Sequence, residues 1–167
     1  TLDAAGDVEL RFDIKRKTQA EKVQIVVGET IGDPVTEQDL LFRLNLLAPG
    51  TTITEQTLRN NADQILDYLR ERGFYRSEVV YEKRVLQNEN QVAVTFKVTP
   101  NAQAKVEDFK IDIKGYEKPF LPSKFRLRKG GFYSRERLTA DVTKVRETLR
   151  KDNFLAPELD EPRITYD

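Results

Sequence analysis

Leu58, Ala62, Ile65 and Leu69 step i, i+4, i+7, i+11 and predict one buried face of an α-helix over about 54–72. The same steps return at a constant offset of 80 residues in Leu138, Val142, Val145 and Leu149, which predicts a second helix over about 134–152. Upstream the offset holds: Gly50 lies over Gly130 and Thr54 over Ser134. Thr54 and Ser134 suit the N-cap, where a side-chain oxygen accepts from an orphaned backbone N–H. Downstream, Gly73-Phe74 and Asn153-Phe154 follow the two helices. Glycine, with asparagine as its usual substitute, suits the left-handed residue that stops a helix. Each Phe is expected to fold back onto the apolar face.

A period of two marks the strands. Val8, Leu10, Phe12 and Ile14 alternate with charged residues, and Val92, Val94, Phe96 and Val98 repeat that pattern 84 residues later. Val23, Ile25, Val27 and Phe109, Ile111, Ile113 predict strands over about 22–28 and 106–114. A strand over 78–86 is joined to 91–99 by the polar turn "QNENQ". A first helix starts near Thr36, carries Leu40, Leu41, Leu44 and Leu47, and stops at Pro49-Gly50. A shorter one follows Pro119, and "PRITYD" closes the sequence with strand-forming residues. These elements make an α+β fold of tandem βααββ units of about 80 residues, each a small mixed three-stranded sheet with two antiparallel helices on one face. Residues 1–20 are assigned as the last strand of a preceding unit plus a linker, 21–100 as a complete unit, and 101–167 as a following unit lacking its last strand.

Charge narrows the function. Lys+Arg and Asp+Glu both number 28, so the basic excess of a general nucleic-acid binder is missing. A KH-type reading needs a GxxG loop between helices, and "APGTT" and "RKGGF" stand there instead. Cysteine and histidine are both absent, which removes disulfides, thiolate metal sites and the commonest general base. The expectation is therefore no enzyme, no cofactor, no metal and no nucleic acid. The absence of Met suggests a piece cut from a longer protein, so the lack of a signal peptide says nothing of location. Lys124, Arg126, Arg128 and Lys129 cluster in "SKFRLRKGG". They read first as a solvated helix end, and otherwise as a contact for anionic lipid heads or an acidic partner domain.

The stretches "YLRERGFYRSEVVYEKR", "QVAVTFKV" and "LRKGGFYSRERLTADVTKVRETLRKDNF" resemble POTRA (polypeptide-transport-associated) domains. These occur in tandem on the periplasmic side of outer-membrane β-barrels of the BamA/TamA superfamily. The resemblance implies a periplasmic scaffold attached to the outer membrane through its parent chain. Its partners would be unfolded outer-membrane polypeptides, accessory assembly proteins and the C-terminal β-barrel of the parent. A module of a two-partner secretion transporter or a cell-division protein is the alternative. It also implies β-augmentation, in which a peptide pairs with an exposed sheet edge.

The candidate edge is Glu78, Val79, Val80, Tyr81, Glu82, Lys83, Arg84 and Val85. Neither of its faces is cleanly apolar, which suits an edge, guarded or receptive. Proline at Val80 or Glu82 is expected to remove an outward donor. A second candidate edge is Arg163, Ile164, Thr165 and Tyr166. Its missing neighbour is expected either from residues 8–15 of another copy by strand exchange, or from further chain of the same protein.

Overall fold

The computed structural model describes residues 11–12, 17–43, 47–86, 90–116, 118–120, 122–154 and 159–166. The first unit is built from β1 (Gln19–Val27), β2 (Thr30–Ile31), α1 (Glu37–Arg43), α2 (Glu55–Glu71), β3 (Glu78–Val85) and β4 (Gln91–Thr99). β5 (Asn101–Ala102) follows, then a single 3-10 turn (Pro122–Lys124) and α3 (Arg135–Lys151). The main sheet has the order β1-β4-β3, with β4 parallel to β1 and antiparallel to β3. β2 and β5 form a second, two-stranded parallel ribbon that the sequence pattern does not reveal.

β4 takes the middle because its alternation is the cleanest: Val92, Val94, Phe96 and Val98 are all buried. They meet Leu58, Ala62, Ile65 and Leu69 of α2 and Leu40 of α1 in one core. Each fully buried side chain of this kind contributes about 1.5–3 kcal/mol. The helix phase read from the sequence is thus the phase of the fold. α1 is shorter than expected: it buries Leu40, while Leu41 is half exposed and Phe42 points out.

The helix ends follow their chemistry. Thr54 and Thr57 close a capping box at the start of α2, and Ser134 accepts from the Arg137 N–H at the start of α3. Gly73 (φ +90) and Asn153 (φ +68) are both left-handed. Phe74 N–H bonds the Leu69 carbonyl and Gly73 N–H the Arg70 carbonyl, the 6→1 and 5→2 pattern of a Schellman stop. Phe154 N–H to Leu149 and Asn153 N–H to Arg150 repeat it. Phe74 is fully buried, as expected, but Phe154 is 40% exposed. Its ring lies edge-on against Tyr116 rather than in the core.

The start of the second unit copies the start of the first. Ala20 N–H donates to Thr51 and Gly50 N–H to the Ala20 carbonyl; Val106 N–H donates to Gly131 and Gly130 N–H to the Val106 carbonyl. A buried polar residue recurs too. Asn61 accepts from the Leu47 N–H (2.6 Å), and Asp141 accepts from the N–H groups of Arg126 and Leu127 (2.8 Å each). Both pin the stretch before the long helix, and both satisfy backbone donors that burial would otherwise orphan.

Two expected strands are not formed. Beyond an isolated bridge between Lys105 and Phe132, residues 106–113 make no ladder, and neither do 159–166. The reason is topological. In the first unit the central strand β4 holds both its neighbours, and among the described residues the second unit has no counterpart of β4. Extended chain without a neighbour leaves its N–H and C=O groups unpaired. Phe109, Ile111 and Ile113 still pack, half-buried, against Phe125, Val145 and Leu149. Most of the predicted 8–15 strand, Leu44, residues 87–89 of the hairpin turn and Asp167 lie outside the described residues.

Candidate functional site

β3 is a terminal strand of the main sheet, and among the described residues no strand pairs with its far side. Which backbone groups it presents follows from the ladder. Gly28 N–H donates to Val98 and Gln19 N–H to Asn90. The even-numbered residues of β4 therefore face β1, and the odd-numbered ones face β3. Opposite the odd ones stand Glu78, Val80, Glu82 and Arg84. Leu86 N–H, donating to the Gln91 carbonyl at 3.0 Å, has the same parity. The N–H and C=O groups of Val79, Tyr81, Lys83 and Val85 are the ones directed outward. This corrects the expectation for proline: at Val80 or Glu82 it would remove a bond to β4, not an edge donor.

The side chains sort by the same parity. Val79 and Tyr81 are half-buried against the helices, and the Tyr81 ring sits edge-on to Phe96. Lys83 lies on that face as well, and its ammonium pairs with Glu55 at the start of α2. Tyr81 Oη donates to the same carboxylate at 3.1 Å. These two bonds, Lys83 first, hold the Glu55 carboxyl below the usual range. On the open face Val80 is 58% exposed beside an ion pair between Lys97 and Glu82 (2.6 Å). The strand thus carries charge at both faces and free backbone along its side.

The end of the first unit is tied to the second by Gln103, which the sequence marks only as part of a Gln-Ala pair repeated from Gln19-Ala20. Gln103 is 4% exposed. Its Nε2 donates to the carbonyls of Arg72 (2.7 Å) and Tyr133 (2.9 Å), and its Oε1 accepts from the Asp33 N–H (2.7 Å). Around it, Ala104 N–H donates to Gly73 and Tyr133 N–H to Ala104. Arg137 of α3 pairs with Asp33 at 2.9 Å. Burial works against the Asp33 charge, but the Gln103 amide and Arg137 outweigh it and hold its carboxyl below the usual range. Tyr75 stacks on Tyr133, and Tyr166 lies against Tyr75 with ring centres 4.7 Å apart. The second candidate edge, Arg163, Ile164, Thr165 and Tyr166, therefore runs up to this joint, exposed and without ladder bonds.

Among the described residues no group of His, Asp or Glu is placed to hold a metal ion, and no helix is long and apolar enough to cross a membrane. Residues 21–101 match the POTRA family, described as a surface antigen variable number repeat. No curated protein matches the chain. Among solved structures it is similar to the crystal structure of Haemophilus influenzae BamA POTRA3-5, at 16% identity and a TM-score of 0.48, covering 78% of this chain and 50% of that one. It is also similar to the N-terminal domain of Omp85 from the thermophilic cyanobacterium Thermosynechococcus elongatus, at 17% identity and a TM-score of 0.34, covering 78% and 55%. The chain spans about half the length of these structures.

Proposed function

Because residues 21–101 belong to the POTRA family, we propose that the chain is a periplasmic polypeptide-binding scaffold of an outer-membrane β-barrel assembly or translocation protein. It receives unfolded outer-membrane polypeptides and docks accessory assembly proteins, next to a membrane barrel carried by the same parent chain. It is an interaction module and not an enzyme. The observation that carries the reading is the open side of β3, where Val79, Tyr81, Lys83 and Val85 direct unpaired backbone groups outward. An incoming strand pairs there by β-augmentation: main-chain bonds supply affinity and side-chain contacts add selectivity.

The test uses the parity just derived. Lys83→Pro removes an outward N–H and keeps the β4 ladder; Lys83→Ala removes the Glu55 pair and keeps the N–H. A photocrosslinker at Val85 is offered a urea-unfolded β-barrel protein. Crosslinking is expected to persist in Lys83→Ala and fall in Lys83→Pro. Equal crosslinking in both variants would place the polypeptide elsewhere.

A further inference from the structure

A second surface lies on the second unit, away from β3. Phe125 and Leu127 are buried, while Lys124, Arg126 and Arg128 are exposed. The stretch is held from α3. Asp141 accepts the N–H groups of Arg126 and Leu127, and Lys144 Nζ donates to the Lys124 carbonyl at 2.6 Å. With the backbone fixed and the apolar side chains drawn inward, the three cations stand outward as a ridge. None of them makes an ion pair among the described residues.

The ridge separates two depressions. On one side is an aromatic cleft of about 630 Å³, lined by Phe109, Ile111, Tyr116, Phe120 and Phe125 and bordered by Arg128. On the other is a groove at the junction of the units, lined by Arg126, Arg128 and Lys144. Three of its carboxylates have other partners. Asp33 and Asp39 are engaged by Arg137 and Arg72, and Asp141 by the backbone. Glu71, Glu136 and Glu147 also line the groove, on α2 and α3, so the groove is of mixed charge and a carboxylate guest is repelled along it.

We propose that ridge and cleft form a docking surface for an extended polypeptide segment that carries a large apolar side chain within one or two residues of carboxylates. The apolar side chain enters the ring-lined cleft, and the carboxylates meet Arg126 and Arg128. The two arginines stand on the same side of the chain two residues apart, which matches carboxylates at alternate positions of an extended peptide. Arginine favours carboxylate through paired N–H donors. In a chain of zero net charge this local excess of cations supplies orientation as well as attraction. The surface needs no sheet edge, so it stands independently of pairing at β3.

The full chain carrying Lys83→Pro, which blocks pairing at β3, is titrated with a fluorescent ten-residue peptide holding one Phe among alternating Glu residues. Two control peptides replace Glu by Gln, or Phe by Ser. Binding of the acidic peptide is expected to weaken about tenfold in Arg126→Gln/Arg128→Gln, two exposed pairs being lost. It should weaken for both control peptides and fade with salt. Arg126→Glu serves as a second variant, and an unchanged urea midpoint shows that each is folded. With β3 blocked, the proposal is overturned if the acidic peptide does not bind, if the Gln peptide binds as well, or if the arginine variants bind like the chain with both arginines intact. It is also overturned if phosphatidylglycerol vesicles bind through the arginines while the peptide does not, which would make the ridge a lipid contact.

Discussion

The side-chain amide of Gln103 donates to the main-chain carbonyl of Tyr133 at 2.9 Å, and this bond ties the end of the first unit to the entry of α3. The same nitrogen holds the Arg72 carbonyl beside the α2 stop. Gln103→Ala leaves these carbonyls and the Asp33 N–H without a partner, at about 1–3 kcal/mol for each that stays buried. The expected outcome is a looser angle between the units with both helices intact. The chain has no cysteine, so cysteines introduced at Gln24 and Arg146 can carry spin labels alone. Their distance distribution should broaden in Gln103→Ala. An unchanged distribution would mean that the Tyr75–Tyr133 stack and the Asp33–Arg137 pair hold the joint unaided.

Gly73 and Gly130 separate backbone strain from crowding. Both have positive φ, but a Cβ on Gly73 would lie 2.6 Å from the Tyr133 carbonyl oxygen, whereas a Cβ on Gly130 meets nothing within 4 Å. Gly130→Ala should cost about 1–2 kcal/mol, the left-handed penalty alone. Gly73→Ala should cost clearly more, because the joint must also shift. Asn153→Gly, which keeps the left-handed residue and relieves its strain, should be neutral or mildly stabilising. Urea midpoints give all three values. Equal costs at the two glycines would show that the joint yields freely.

The joint should weaken at both extremes of pH. Burial, with the neighbouring Tyr75 adding to it, pushes the Tyr133 hydroxyl up to about 12. An unfolded tyrosine titrates near 10. The folded chain holds this proton more tightly, so its contribution is fully present below pH about 10 and is lost as pH rises towards 12. Asp33 has the opposite sign. Its carboxyl is held down in the fold, so its contribution is present above the ordinary carboxylate value of about 3.9 and is lost as pH falls below it. Urea midpoints at pH 3, 7 and 11 should peak in the middle. Tyr133→Phe should remove part of the alkaline loss, and a loss of the same size in that variant would assign it to other groups.

Strand exchange between copies makes a separate prediction. Val8, Leu10, Phe12 and Ile14 carry the pattern of Val92, Val94, Phe96 and Val98, the residues that fill the centre of the first unit. If they fill the equivalent place in another copy, the chain forms oligomers, and deleting residues 1–15 returns it to a monomer. Hydrogen exchange at 163–166 should then become faster. A full chain that is already monomeric, with 163–166 protected from exchange, would end the idea.

Helices, caps and stops were legible because their signals are local: a 3.6-residue period, a Ser or Thr before it, and a Gly or Asn after it. Asn61 and Asp141 were also within reach. They sit at the shared 80-residue offset on an otherwise apolar face, where a polar residue implies a buried backbone donor. Gln103 was not legible. Its partners lie 70, 31 and 30 residues away and, apart from the Asp33 carboxylate, are backbone groups, which leave no mark on side-chain pattern. The alternation of 109–113 was read correctly as an inward face, but a ladder needs a neighbour, and neighbours are non-local. The proline positions were misjudged for a similar reason: parity at an edge is fixed by the strand on the other side.

That parity sets what the open side of β3 can distinguish. Its outward backbone groups recur every second residue, about 6.8 Å apart. A guest that slips by one residue turns its whole apolar set to the wrong face, while one that slips by two finds the same bonds again. The edge is thus a reader of rhythm rather than of spelling. Many unrelated sequences share one beat, which would let a single strand serve many clients and hold none in a unique position.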